Sequence, residues 1–168
     1  MKFEHLVVTG DPLFFNRHKF LFQALSSYFE QVEFIQTNNL YYQSKIFNFF
    51  MRLSYKIKTL FAPTKAETLW KNERGFITRS KITEQKIRQL PYVPDLVFQV
   101  FSMYNPFWDK FDIPYVTYLD YTMALAKRSW SFWAPFNNDR EFAAWLNCER
   151  IAYAQAHHLF TMSRSEER

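Results

Sequence analysis

Along this chain, short runs of consecutive apolar residues alternate with longer segments in which apolar residues recur every three or four positions. Glu4 to Thr9 is an apolar run that stops at the turn residues Gly10-Asp11-Pro12, and it reads as a buried first strand. From Arg17 to Phe29 the apolar positions Phe20, Leu21, Ala24, Leu25 and Tyr28 follow helical spacing. Val32 to Gln36 then returns to strand-like composition, which completes a βαβ unit. Ile77 to Leu90 predicts a polar helix carrying Ile82 and Ile87 and closed by Pro91 and Pro94. Asp95 to Phe101 and Ile113 to Leu119 predict two further strands, Asn138 to Ala156 a long helix, and His157 to Met162 a last strand. The alternation predicts an α/β fold, a Rossmann-like, doubly wound and mostly parallel sheet covered on both faces. At 168 residues the chain is long enough for one real core and suggests a single domain, 1–168.

In open sheets of this class ligands bind outside the carboxyl ends of the strands. The predicted strands run there into Gly10-Asp11, Thr37-Asn38, Ser102, Asp120 and Ser163, all small or polar. Polar residues are expected wherever a strand leaves the core, but Asp120 interrupts an otherwise apolar stretch from Ile113 to Ala126. An ionised carboxylate in such surroundings costs free energy unless it is paired or solvated in a cleft. Glu149 poses the same question. It falls in the middle of the apolar stripe Phe142, Trp145, Leu146, Ala152, Tyr153 and Ala156 of the long helix. It is either a structural carboxylate holding backbone N–H groups or an arginine, or it points into the cleft.

Charge adds an asymmetry. Between Ser44 and Leu90 eleven Lys/Arg stand against three Glu, a net of +8, whereas the remainder carries a net of −3. The basic excess therefore belongs to an insert-like segment at about 41–90, which suits a polyanion or a membrane surface. On a helical wheel Ile46, Phe49, Phe50, Leu53, Ile57, Leu60 and Phe61 share an arc of about 120°, flanked by Lys45, Arg52 and Lys56. Phenylalanines on the apolar face with basic residues at its border are the pattern of a helix lying in a lipid headgroup region, so Lys45, Phe49, Phe50, Arg52 and Lys56 are candidate membrane-facing residues. The alternative is a surface helix packed on its own domain with a solvated basic face.

Composition removes several chemistries. Two glycines, Gly10 and Gly75, stand 65 positions apart, so no Gly-rich phosphate loop or dinucleotide fingerprint exists. One cysteine, Cys148, leaves no intramolecular disulfide and no multi-cysteine zinc site, and fits a reducing compartment. His157 and His158 are adjacent and point to opposite faces of a strand, so no metal site is expected. No run of about 18 apolar residues offers a membrane span. Aromatic and basic residues are interleaved on a helix flank and not on a sheet platform, so nucleic acid is not an expected partner. The 35 aromatics include Trp130, Phe132, Trp133 and Phe136, in the loop from Tyr121 to Asn138. Their faces suit stacking on sugar rings or contact with a lipid acceptor, or else they form a lid over the sheet edge. Ser163 to Glu166 is a capping box that announces a helix just before Arg168, which leads us to expect an amino-terminal part of a longer protein.

Residues 149–163, Glu-Arg-Ile-Ala-Tyr-Ala-Gln-Ala-His-His-Leu-Phe-Thr-Met-Ser, resemble the segment of GT-B glycosyltransferases in which a helix carrying Glu-Arg, Tyr and Ala leads into a strand ending at Ser. Residues 113–120, Ile-Pro-Tyr-Val-Thr-Tyr-Leu-Asp, are similar to the strand before the acceptor-side loop, and Pro94-Asp95-Leu96-Val97-Phe98 looks like the usual start of the fourth strand. The chain thus resembles the amino-terminal domain of the family 4 retaining enzymes. It departs from them in its first loop, where Gly10 alone precedes Asp11-Pro12, and at Leu119-Asp120, where many members have His-Asp. The resemblance implies transfer of a sugar from a nucleotide sugar to a glycan or lipid-linked acceptor, without a metal. The donor site would lie in a carboxyl-terminal domain missing from this chain, so the only expected small-molecule partner of the complete enzyme is the nucleotide-sugar donor. Taken with the strand ends, the aromatic loop and the capping box, this makes the candidate residues Asp120 as the catalytic or acceptor-orienting carboxylate, Gly10 and Asp11 at the cleft floor, Tyr121, Trp130 and Trp133 on the acceptor side, and Ser163 with Arg164 at the interdomain cleft. The expected location is cytoplasmic, peripheral to the inner face of the membrane. The alternative function is a non-catalytic α/β module that docks to a membrane surface or a partner protein.

Overall fold

The computed structural model describes residues 3–36, 46, 49–50, 53–54, 56–57, 60, 68, 71–100, 103–108 and 110–162. In chain order its elements are β1 (Phe3–Gly10), α1 (Pro12–Arg17), α2 (Lys19–Ser26), β2 (Phe29–Gln36), α3 (Glu73–Arg88), β3 (Leu96–Val100), β4 (Tyr115–Leu119), α4 (Met123–Ser129), a 3-10 turn (Ser131–Trp133), α5 (Asp139–Gln155) and β5 (His158–Thr161). The five strands pair in the order β2-β1-β3-β4-β5, all parallel. The fold is the Rossmann-like, doubly wound α/β class.

Alternation along the strands explains why both faces are covered. Leu6 and Val8 of β1, with Phe98, Val100 and Val116, face Phe22 of α2. Val7, Val97 and Tyr115 point the other way, to Ile87 of α3 and Phe107. Near-continuous apolar runs are what a parallel sheet buried on both sides requires, and each buried valine contributes about 1.5–3 kcal/mol. Helix α5 joins the second face, where the Tyr115 hydroxyl donates to the Ala152 carbonyl. A third cluster of Phe76, Met123, Ala126, Trp145, Cys148 and Ala152 fastens α4 to α3 and α5.

Some boundaries differ from the expectation. The helix expected over Arg17–Phe29 is the shorter α2, separated at His18 from an unexpected preceding helix, α1, and β2 begins at Phe29, not Val32. Phe29 is buried and aligns with Phe3 of β1, so non-local strand pairing claims a residue whose local spacing is helical. Helix α3 starts four residues earlier than Ile77 because the Asn72 side chain accepts the Gly75 N–H at 2.9 Å and caps it. The loop from Tyr121 to Asn138 contains α4, which begins where Thr122 accepts the Leu125 N–H at 3.2 Å.

One row of polar residues crosses the second sheet face near its carboxyl edge. Thr9, Gln99 and Thr117 are in register on β1, β3 and β4, and all three are buried. The Gln99 amide donates to the Tyr104 carbonyl, and Asn105 donates its backbone N–H to Ser80 Oγ at 2.8 Å and its side-chain amide to the Tyr115 hydroxyl at 3.0 Å. These bonds tie the segment after β3 to α3 and β4.

Candidate functional site

In the order β2-β1-β3-β4-β5 the connections reverse direction between β1 and β3, and it is at the carboxyl ends of the strands beside such a reversal that open α/β sheets bind ligands. Gly10 and Asp120 stand at this edge on β1 and after β4, two strand spacings or roughly 10 Å apart.

Gly10 is buried and does not offer an open backbone. A Cβ there would lie 3.0 Å from the Val100 carbonyl oxygen and 3.1 Å from the Phe15 ring. The missing side chain is filled by β3 and α1, so this glycine serves close packing at the edge. Asp11 is half-buried, and its Oδ1 accepts the Leu13 N–H at 2.8 Å as the cap of α1. Its geometry is that of a structural cap at the rim.

Asp120 is half-buried at the bend that follows Leu119. The backbone on either side is held firmly. Before it, the Leu119 carbonyl accepts the Met162 N–H at 3.0 Å, and after it, Thr122 and Met123 open α4. The backbone that carries Asp120 is thus fixed on both sides. Tyr121 is also half-buried, and its ring lies edge-on to Trp133, with centroids 6.3 Å apart. Trp133 belongs to the 3-10 turn, with half its surface exposed, as is that of Trp130 (50% and 53%). The turn is closed by a bond from Trp133 N–H to the Trp130 carbonyl at 2.8 Å. The structure therefore brings Tyr121 and Trp133 together, with Trp130 on the same turn, and Asp120 directly precedes Tyr121 in the chain.

Glu149 is 4% exposed and does not open to the surface. It accepts the Trp145 indole N–H at 3.0 Å and the Met123 N–H at 3.2 and 3.3 Å. Burial pushes its carboxyl up to about 7, against the lowering pull of those two donors. It holds the start of α4, three residues after Asp120. Cys148 is fully buried beside it, and burial pushes the thiol up to about 12, far from a nucleophile's range.

A residue that sequence reasoning passed over supports the aromatic turn from below. Lys71 is 1% exposed, and its Nζ donates to the Trp133 carbonyl at 2.5 Å. Its place between Trp70 and the cap residue Asn72 is no different in spacing from that of the other lysines in the basic segment. The segment's charge is accordingly not one surface: Lys71 is internal, and Arg88 holds Glu84 and Asp112 at 2.7 Å each. An open depression of about 360 Å³, lined by Lys81, Glu84, Gln85, Arg88, Gln89 and Lys110, lies at the carboxyl end of α3. That is the amino edge of the sheet, remote from Asp120.

Of the other expected residues, Phe49, Phe50 and Lys56 are helical and exposed. Lys45, Arg52, Ser163 and Arg164 lie outside the described residues, as do Thr37, Asn38 and Ser102. Among the described residues no group of three or more His, Cys, Asp or Glu is placed to hold a metal ion, and no helix is long and apolar enough to cross a membrane. No protein-family model matches this chain, and neither a curated protein nor a solved structure matches it.

Proposed function

We propose that this chain is the acceptor-binding part of a sugar transferase, in which Asp120 orients the acceptor hydroxyl or contacts the transferred sugar. The observation that carries the reading is the half-buried Asp120 at the carboxyl end of β4, followed directly by Tyr121, whose ring meets the half-exposed Trp133. A saccharide needs both kinds of group. Its C–H faces lie on aromatic rings, and its hydroxyls donate directed hydrogen bonds to a fixed carboxylate. The scarcity of glycine fits a domain that does not cradle the nucleotide, so the donor would be held elsewhere in the complete enzyme. The resemblance of residues 149–163 and 113–120 to family 4 glycosyltransferases supports the same reaction class.

The test is genetic and chemical. Deleting the gene should remove or shorten one saccharide in the glycan and glycolipid profile of the cell measured by mass spectrometry, and an Asp120→Asn allele should reproduce the deletion. An unchanged profile on deletion overturns the sugar-transfer reading. Full rescue of the deletion by the Asp120→Asn allele removes Asp120 from the site.

A further inference from the structure

We propose that the helical face bearing Phe49 and Phe50 docks this chain on the surface of an anionic lipid bilayer. Ile46, Phe49, Phe50, Leu53, Ile57 and Leu60 are all helical, and their spacing places them within an arc of about 100° on one side of the axis. None is buried: Phe49 is 63% exposed, Phe50 59%, Ile46 72% and Leu60 81%, with Leu53 and Ile57 at 43% and 48%. The rings of Phe49 and Phe50 meet edge to face, with centroids 5.9 Å apart. An amphipathic helix packed on its own sheet would hide this face, as α2 and α3 hide Phe22 and Ile87.

Charge identifies the occupant. From Phe34 to Ala66 the sequence has five Lys/Arg (45, 52, 56, 58 and 65) and no Asp or Glu. Lys56 is placed on the helix at the border of the apolar arc. A second copy of this chain would bring two such cationic segments face to face, which opposes pairing. A bilayer containing anionic lipid supplies an apolar medium for the phenylalanines and a negative surface for the flanking cations at once, and both interactions increase with depth at the headgroup boundary. The inference does not depend on sugar transfer, and its test contains neither donor nor acceptor.

The full chain is co-sedimented with vesicles of phosphatidylcholine alone and of phosphatidylcholine mixed with phosphatidylglycerol, at low and high salt. Expected is partition onto the anionic vesicles that weakens as salt is raised. Lys56→Gln should lower the partition coefficient about fivefold. The double variant Phe49→Glu/Phe50→Glu should lower it about tenfold or more, with an unchanged circular dichroism spectrum because both side chains lie outside the core. In a Phe50→Trp variant, lipids brominated on the acyl chain should quench the added emission. Failure to bind anionic vesicles at low salt, equal binding to neutral vesicles, undiminished binding by the double variant, or an unquenched added tryptophan each overturns the proposal. Self-association that protects Phe50 in the absence of lipid overturns it in favour of a second copy.

Discussion

Glu149, buried on α5, accepts the backbone N–H of Met123, 26 residues earlier in the chain, at the first turn of α4. The first four N–H groups of a helix have no partner within it, and Thr122 satisfies only that of Leu125. The carboxylate thus completes the cap from another helix, and with it fixes where the chain turns after Asp120 and Tyr121. The same oxygen takes the Trp145 indole N–H, so one buried side chain orders both the turn and the aromatic core beneath it.

The Glu149 carboxyl should make stability depend on pH in an unusual direction. Its value is raised from 4.5 to about 7 in the folded chain. Between those values the folded protein keeps a proton that the unfolded chain has released, so stability falls as pH rises through this window and levels off above it. The fall attributable to this group is up to about 3 kcal/mol, measured by urea denaturation across pH. Glu149→Gln should flatten the slope. Glu149→Ala should leave the indole and the Met123 N–H unpaired and cost about 2–4 kcal/mol at acidic pH, a cost that shrinks as pH rises through the window because only the parent chain loses stability there. A slope unchanged in the Gln variant would assign the dependence to another group.

Gly10→Ala should destabilise the chain by about 1–3 kcal/mol, because the added methyl meets a backbone oxygen at 3.0 Å that β3 cannot withdraw without breaking its register. Thermal and denaturant unfolding of the single variant measure this. A neutral substitution would show that the edge between β1 and β3 is loosely packed.

What could be read in advance follows from how local each cause is. The apolar runs of β1, β3 and β4 declare themselves within a residue or two of their ends, because a strand buried on both faces is apolar at most of its positions. Helix α5 is equally legible, with Asn138 as its cap. The start of β2 is not, because Phe29 owes its strand conformation to Phe3 across the sheet. The position of Glu149 on an apolar stripe marks it as unusual, but its partner Met123 belongs to a helix that the Trp-rich loop conceals. Lys71 is the extreme case: its buried ammonium bonds a carbonyl 62 residues away, and nothing in its neighbours announces it. At the candidate site, Asp120, Tyr121 and Trp133 could each be singled out from the chain, whereas the ring contact that joins the last two could not.

Arg88 holds two carboxylates that should respond differently to salt. Glu84 is largely buried, while Asp112 is more than half exposed, and the Arg88 guanidinium beside it holds the Asp112 carboxyl below its ordinary value. Asp112→Asn should cost less than about 1 kcal/mol, an effect that vanishes in concentrated salt. Because the Asp112 value is lowered by folding, its contribution is present above 3.8 and lost as pH falls through the lower folded value. Arg88→Met should cost about 1–3 kcal/mol and keep that cost in salt, since it strands Glu84 in a poorly solvated place. Denaturation of the two variants at low and high salt separates the arms, and equal salt dependence would contradict this assignment.

The buried Lys71 should control the order of the aromatic turn and leave the sheet alone. Its ammonium donates to the Trp133 carbonyl, and hydrogen bonds from charged donors are worth about 1.5–3 kcal/mol. Lys71→Met keeps most of the side-chain volume and removes the donor, so the carbonyl loses its partner while the surrounding packing is largely retained. Local opening of residues 130–136 should then become about ten- to a hundredfold more frequent, read as faster amide hydrogen exchange in peptides covering that turn. Peptides from β1, β3 and β4 should exchange as in the parent chain, because their protection comes from the sheet ladder and its two apolar faces. Faster exchange throughout the molecule would make Lys71 a general core residue, and unchanged exchange at 130–136 would show that the turn is held by its rings and not by the lysine.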